Sequence, residues 1–235
     1  MKKQLLFLML CCFSFSAFSQ NETALIEAVK RKLEKVKNYS ATGTMNLDVA
    51  FINAPSSKVV MYYKAPDKFT VQKEGGISIL PKGGVSVNLA SLVAGTNYAV
   101  VPAGKTTWKG QVLKLVKLLP LDDKSNVVLT TFFIDEKALL IRKAQVTTRD
   151  NGSYEIEMEY GKWSAWGLPD KMVFLFSTKE YKLPKGVTFE YEKGTKKTAA
   201  PKDSKGTVSI MYNNYNINKG LKDEVFGNNN KKMLP

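Results

Sequence analysis

Residues 154–160 read Tyr154-Glu155-Ile156-Glu157-Met158-Glu159-Tyr160. Side chains along a strand point to opposite faces with a period of two. Three glutamates therefore share one face and four apolar side chains share the other. A helix would scatter the glutamates around its circumference. The stretch is a strand with one wet side and one apolar side, as expected in an antiparallel sheet packed on a single face.

Working outward, Asp150-Asn151-Gly152 separates this strand from residues 138–148 and reads as a hairpin turn. Downstream, Leu168-Pro169-Asp170 opens residues 171–176, where Met172, Phe174 and Phe176 alternate with Val173 and Leu175, so both faces are apolar. Val187, Phe189 and Tyr191 alternate with Thr188, Glu190 and Glu192. Upstream, Met45, Leu47, Val49 and Phe51 alternate with Asn46, Asp48 and Ala50, and Val59, Met61 and Tyr63 continue the pattern. Further strands are expected at 76–80, 85–89, 97–101, 127–135 and 207–215, with Lys82-Gly83-Gly84 as a turn. Hairpin follows hairpin, which predicts an antiparallel meander.

Two segments have helical spacing. In residues 21–38, Leu25, Val29, Leu33 and Val36 recur at intervals of four and three opposite a charged face, with Asn21 or Thr23 as the expected cap. In residues 111–119, Val112, Leu115, Val116 and Leu119 would share one face of a second helix that Pro120 stops. The second segment reads as a core helix or an apolar lid. Both helices are expected to cover the sheet, with Leu25, Val29, Leu33, Val112, Leu115, Val116 and Leu119 as the covering side chains.

The pleat assigns an interior. Met45, Leu47, Val49, Met61, Tyr63, Phe69, Val71, Ile156, Met158, Tyr160, Phe174, Phe176, Phe189 and Tyr191 are expected on one face, because their alternates are mostly Asn, Asp and Glu that must meet water. Methionine among aromatic residues makes an adaptable apolar lining. An ordinary core under a curved sheet accounts for most of this pattern, and a ligand cavity is the functional alternative.

Composition limits the chemistry. A basic Met1-Lys2-Lys3, an apolar run to Phe18 and Ala17-Phe18-Ser19 form an expected export signal with cleavage before Gln20. The run is too short to span a bilayer. Both cysteines, Cys11 and Cys12, lie within it, and neither follows a small residue as a lipid-attachment cysteine would. The remaining residues then hold neither cysteine nor histidine, which excludes Ser-His-Asp and Cys-His nucleophiles and most zinc sites. No cofactor and no metal site is expected. Net charge falls from +14 to +12 when Lys2 and Lys3 leave. In an exported protein such charge points to anionic lipid or envelope components, or to a plain solvated surface, and not to nucleic acid. Residues 193–206 form a basic polar loop and residues 228–235 a disordered tail, so 20–227 is expected to be a single domain.

Over 21–226 the chain resembles the periplasmic lipoprotein carriers of the LolA type, with their LolB-like and sensor relatives. The resemblance rests on motif order: the amphipathic helix, the strand beginning at Ser40, and Tyr63-Lys64-Ala65-Pro66-Asp67-Lys68-Phe69-Thr70-Val71. The Leu-rich segment ending at Pro120, Leu168-Pro169 before a strand, and the closing Ile217-Asn218-Lys219-Gly220-Leu221 follow. It implies a mainly β, incompletely closed antiparallel barrel with an N-terminal amphipathic helix and internal helices over the concave face. The implied ligand is the acyl chains of a lipoprotein or another lipid. The implied partners are an inner-membrane donor and an outer-membrane acceptor of a soluble periplasmic monomer. The family's basic latch position falls at Ala65, so the latch is not carried over. The alternatives are a lipid- or lipoprotein-sensing module on the same scaffold and a carboxylate-based glycan hydrolase; no acid pair for the latter is evident.

Overall fold

The computed structural model describes residues 16–49, 52–53, 56–73, 93, 97–150, 152–177 and 205–226. A helix, α1 (Ser16–Leu33), leads into β1 (Asn38–Val49), the two-residue β2 (Ile52–Asn53), β3 (Ser57–Lys64) and β4 (Lys68–Lys73). Then come β5 (Tyr98–Trp108), β6 (Gln111–Pro120), β7 (Val127–Asp135), β8 (Leu140–Thr148), β9 (Ser153–Glu159), β10 (Lys171–Ser177) and β11 (Lys205–Ile217). Ten strands pair in the order β4-β3-β1-β11-β10-β9-β8-β7-β6-β5, and β2 hangs from β1. All pairings are antiparallel. The edges β4 and β5 do not meet among the described residues, so the expected open half-barrel is present.

Register makes the inner face continuous. Leu47 lies opposite Val208, Val208 opposite Phe174, and Phe174 opposite Ile156. The row continues through Ala144, Phe132 and Val116 to Pro102. One file of side chains thus crosses eight strands on one face. Bulges at Thr42/Gly43, Phe133/Ile134 and Pro102/Lys105 bend and twist the sheet. At the first, β11 approaches so closely that a Cβ on Gly43 would collide with the Met211 carbonyl oxygen.

The second expected helix is a strand. Residues 111–119 lie in β6, hydrogen-bonded to β5 on one side and β7 on the other. Nine residues are too few for spacing to separate a helix from a strand with apolar residues on both faces. The deciding feature is the turn before it: Lys109 and Gly110 both have positive φ, at 48° and 77°, and join Trp108 to Gln111 as a two-residue hairpin. The helix at the N-terminus also differs in its bounds. Among the described residues it runs from Ser16, so Asn21 and Thr23 lie within it and do not cap it. It ends at Leu33, after which a tight turn, Val36 N–H to Leu33 C=O at 3.0 Å, hands the chain to β1.

Part of the outer face is covered as well. After β11, the short 3-10 turn Asp223–Phe226 packs against β4, and Gln72 Nε2 donates to the Val225 carbonyl at 2.8 Å. Thr70 is buried there. This explains why Val60 and Tyr62 alternate with an inner face that is itself apolar. The segments expected at 76–80, 85–89 and 187–191, most of the loop 193–206 and the tail 228–235 lie outside the described residues.

Candidate functional site

The inner face brings together most of the predicted lining. Met61, Tyr63, Val71, Ile156, Met158, Phe174 and Phe176 are buried in one cluster with Leu25, Val29 and Leu33 of α1. Met45, Leu47, Phe69 and Tyr160 pack against that cluster and stay partly exposed. Phe189, Tyr191 and the side chain of Val49 lie outside the described residues. Of the four residues assigned to a second helix, only Val116 joins the cluster. Leu115 and Leu119 have the opposite parity in β6, and Val112, at the hairpin end, is 68% exposed.

Several lining residues were not read from the sequence. Ile26 is fully buried beneath the helix, and Leu118, Phe132, Ile134, Ala144, Val146, Tyr212 and Tyr215 complete the face. Tyr212 and Tyr215 escape a period-two reading because the bulge opposite Thr42/Gly43 shifts parity between them. Their rings stack with centroids 5.0 Å apart, and Tyr215 also touches Tyr39 at 5.2 Å and Trp163 at 4.9 Å. Burial pushes the phenols of Tyr39, Tyr160, Tyr212 and Tyr215 upward, with neighbouring phenols adding to the rise at Tyr39, Tyr160 and Tyr215.

Polar groups on this face are few. Lys114, inward-facing once β6 is a strand, meets Glu22 of α1 at 2.7 Å, with the side chains 12% and 3% exposed. The second Glu22 oxygen has no hydrogen-bond partner. At the C-terminal end of α1, Arg142 pairs with Asp135 at 3.0 Å and lies over the Tyr160 ring, and Lys32 Nζ donates to the Ala138 carbonyl at 2.7 Å. Burial opposes ionisation of Asp135, but hydrogen bonds from the Ala138 N–H and Arg142 hold its carboxyl below the usual range. The glutamates of β9 face outward and are ion-paired: Glu155 with Lys143 of β8 at 2.6 Å, Glu157 with Lys109 of the β5–β6 turn at 2.8 Å and Glu159 with Lys171 of β10 at 3.3 Å. They are ion-paired rungs on the outer face, not paired acids across a cleft. Among the described residues no group of three or more His, Cys, Asp or Glu could hold a metal ion.

An open antiparallel sheet whose apolar face is covered by a single described helix has counterparts among solved structures. A domain provisionally assigned to outer membrane lipoprotein sorting, from Vibrio parahaemolyticus, superposes with a TM-score of 0.56 at 11% identity, covering 88% of this chain and 97% of that one. A LolA superfamily protein from Nitrosomonas europaea superposes with a TM-score of 0.52 at 8% identity, covering 85% and 96%. The fold is LolA-like. A DUF1329 family protein from Desulfovibrio piger shares the same LolA-like architecture, with a TM-score of 0.53 at 11% identity, covering 87% and 96%. No protein-family model matches the chain, and no curated protein matches it. No helix among the described residues is long and apolar enough to cross a membrane.

Proposed function

We propose that this protein is an exported carrier that holds acyl chains of a lipoprotein, or of a similar lipid, against the inner face of its LolA-like sheet in the periplasm. The observation that carries the reading is the unbroken apolar file from Leu47 to Pro102, in which Leu47 and Val208 are half-buried, as are Met45 and Phe69 elsewhere on the same face. Acyl chains gain about 0.8 kcal/mol per buried CH₂, in a protein as in a bilayer. A face of methionine, aliphatic and aromatic side chains matches that gain with few polar groups to fix one ligand shape. Transfer between membranes needs such balance, since a site far better than lipid could not release its cargo.

Native mass spectrometry of the gently purified protein tests this directly. Co-purified lipid or lipoprotein is the expected result, and a uniformly empty protein that also fails to take up a fluorescent fatty acid would overturn it. Leu47→Glu should abolish uptake of that fatty acid while the fold persists, because a charge there opposes apolar cargo yet can reach water. Glu157→Lys, on the outer face, should leave uptake unchanged and cost at most about 1 kcal/mol of stability.

A further inference from the structure

We infer that the end of the sheet beneath the C-terminus of α1 is a docking surface for an anionic lipid membrane. Three segments are clamped together there. The Asn218 side chain accepts from the Lys37 N–H at 2.7 Å and the Asn38 N–H at 3.2 Å, and donates to the Lys35 carbonyl at 2.8 Å. In return the Asn38 side chain accepts from the Gly220 N–H at 2.9 Å, and the Asn38 carbonyl accepts from the Asn218 N–H at 2.8 Å. This reciprocal bracket sets Lys35 and Lys37 beside Lys219. The third segment is the β9–β10 connection. A Cβ on Gly167 would come within 2.9 Å of Leu33, so this loop rests on the last turn of α1. Trp163 anchors it inward on Tyr215, whereas Trp166 is left 38% exposed.

The charges around that tryptophan are unbalanced. Arg31, Lys35, Lys37, Lys162, Lys219 and Lys222 are exposed and make no ion pair among the described residues. The carboxylates at the same end are mostly engaged: Asp135 with Arg142, Glu136 with Lys105, Glu159 with Lys171, and Asp223 with Lys64 and Lys68. Glu34, Asp67 and Glu224 are exposed without a salt bridge, and Asp170 accepts from the Lys162 N–H, so an excess of cations remains. Among the described residues, the turns at the opposite end carry Asp122, Asp123 and Asp150 against Lys124 and Arg149 and show no such excess.

A broad, shallow spread of lysines around a half-exposed tryptophan fits a lipid interface. The lysines find phosphate anywhere across a leaflet, and indole settles at the headgroup level with its ring in apolar surroundings and its N–H wet. An acidic protein partner would instead call for fixed complementary positions. Docked by this end, the molecule turns Met45, Leu47 and Val208 away from the bilayer. The surface therefore serves residence at a membrane and does not press the inner face into it.

Vesicle co-sedimentation of the purified protein tests the surface, using phosphatidylcholine with and without phosphatidylglycerol. Binding should require phosphatidylglycerol and fall steeply with added salt. Each removed lysine should lower the partition coefficient by about fivefold, so the triple variant Lys35→Gln, Lys37→Gln, Lys219→Gln should lose about a hundredfold. The pair Lys162→Gln, Lys222→Gln should lose about twenty-five-fold in a background that leaves the bracket untouched. Lys117→Gln with Lys124→Gln, at the other end, should change nothing. Tryptophan emission should shift to the blue on binding, and Trp166→Phe should remove that shift. Equal binding to neutral vesicles, an equal loss from the opposite-end variant, or binding only to an acidic protein would overturn the inference.

Discussion

Glu22 and Lys114 show how a single assignment changes the meaning of a residue. On a helix Lys114 would belong to a wet face; on β6 it points inward beneath α1 and needs its own counter-ion. Breaking such a pair leaves an uncompensated charge, whereas replacing both partners by apolar groups is often neutral or stabilising. Glu22→Ala should therefore cost about 3 kcal/mol in urea unfolding, and Glu22→Leu with Lys114→Met should recover most of that loss. The orphaned Glu22 oxygen makes recovery the expected sign. Equal loss in the single and double variants would show that the pair contributes nothing as a pair.

Two elements are held by features that a hydrophobic pattern does not encode. The β5–β6 hairpin depends on positive φ at Lys109 and Gly110. A Cβ on Gly110 would meet no atom within 4 Å, so its substitution acts through the backbone alone. Gly110→Val should cost about 1–2 kcal/mol of stability, seen as a lower denaturation midpoint; no loss would argue against the hairpin. The closing segment is tied to β3 and β4 through Asp223, which Lys64 and Lys68 approach at 2.9 and 3.1 Å. The Lys64 hydrogen bond, then the Lys68 hydrogen bond and both charges, hold the Asp223 carboxyl below its ordinary value. A depressed carboxyl contributes stability that is present above the unfolded value, about 4, and lost as pH falls through the folded one. Removing it with Asp223→Asn should flatten the acid limb of the stability profile, with the Asp223 carboxyl resonance titrating at lower pH than in a peptide. The effect is small because the site is exposed to solvent.

Across the whole molecule, the buried tyrosines set an alkaline limit. Tyr39, Tyr160, Tyr212 and Tyr215 all have raised phenols, mainly through burial. A raised phenol leaves the native state holding protons that the unfolded chain has already released. Stability is complete below the unfolded value of about 10 and declines as pH rises beyond it. Phenolate absorbance should accordingly appear for the exposed tyrosines first and for these four only with unfolding. Simple titration of all ten tyrosines without loss of structure would show that the aromatic cluster is open to water. Lys32, lowered by burial and then by Lys35, acts in the opposite sense, because the unfolded chain holds its proton more tightly and this contribution to stability rises with pH.

Alternation along residues 154–160, the turn at 150–152 and the spacing of Leu25, Val29 and Leu33 determined by themselves an antiparallel sheet, its inner face at most positions and one covering helix. These are local signals: a pleat of period two and a helix of period 3.6 leave their marks on each segment separately. What residues 111–119 become was decided only by tertiary structure, because valines and leucines on both faces suit a strand flanked by two others as well as a buried helix. The inward turn of Lys114, the parity shift that brings Tyr212 and Tyr215 to the same face, and the bracket of Asn38 with Asn218 arise in the same way. Each depends on a partner more than ninety residues away or on a bulge, and a bulge adds a residue to one strand without any mark that hydrophobicity records.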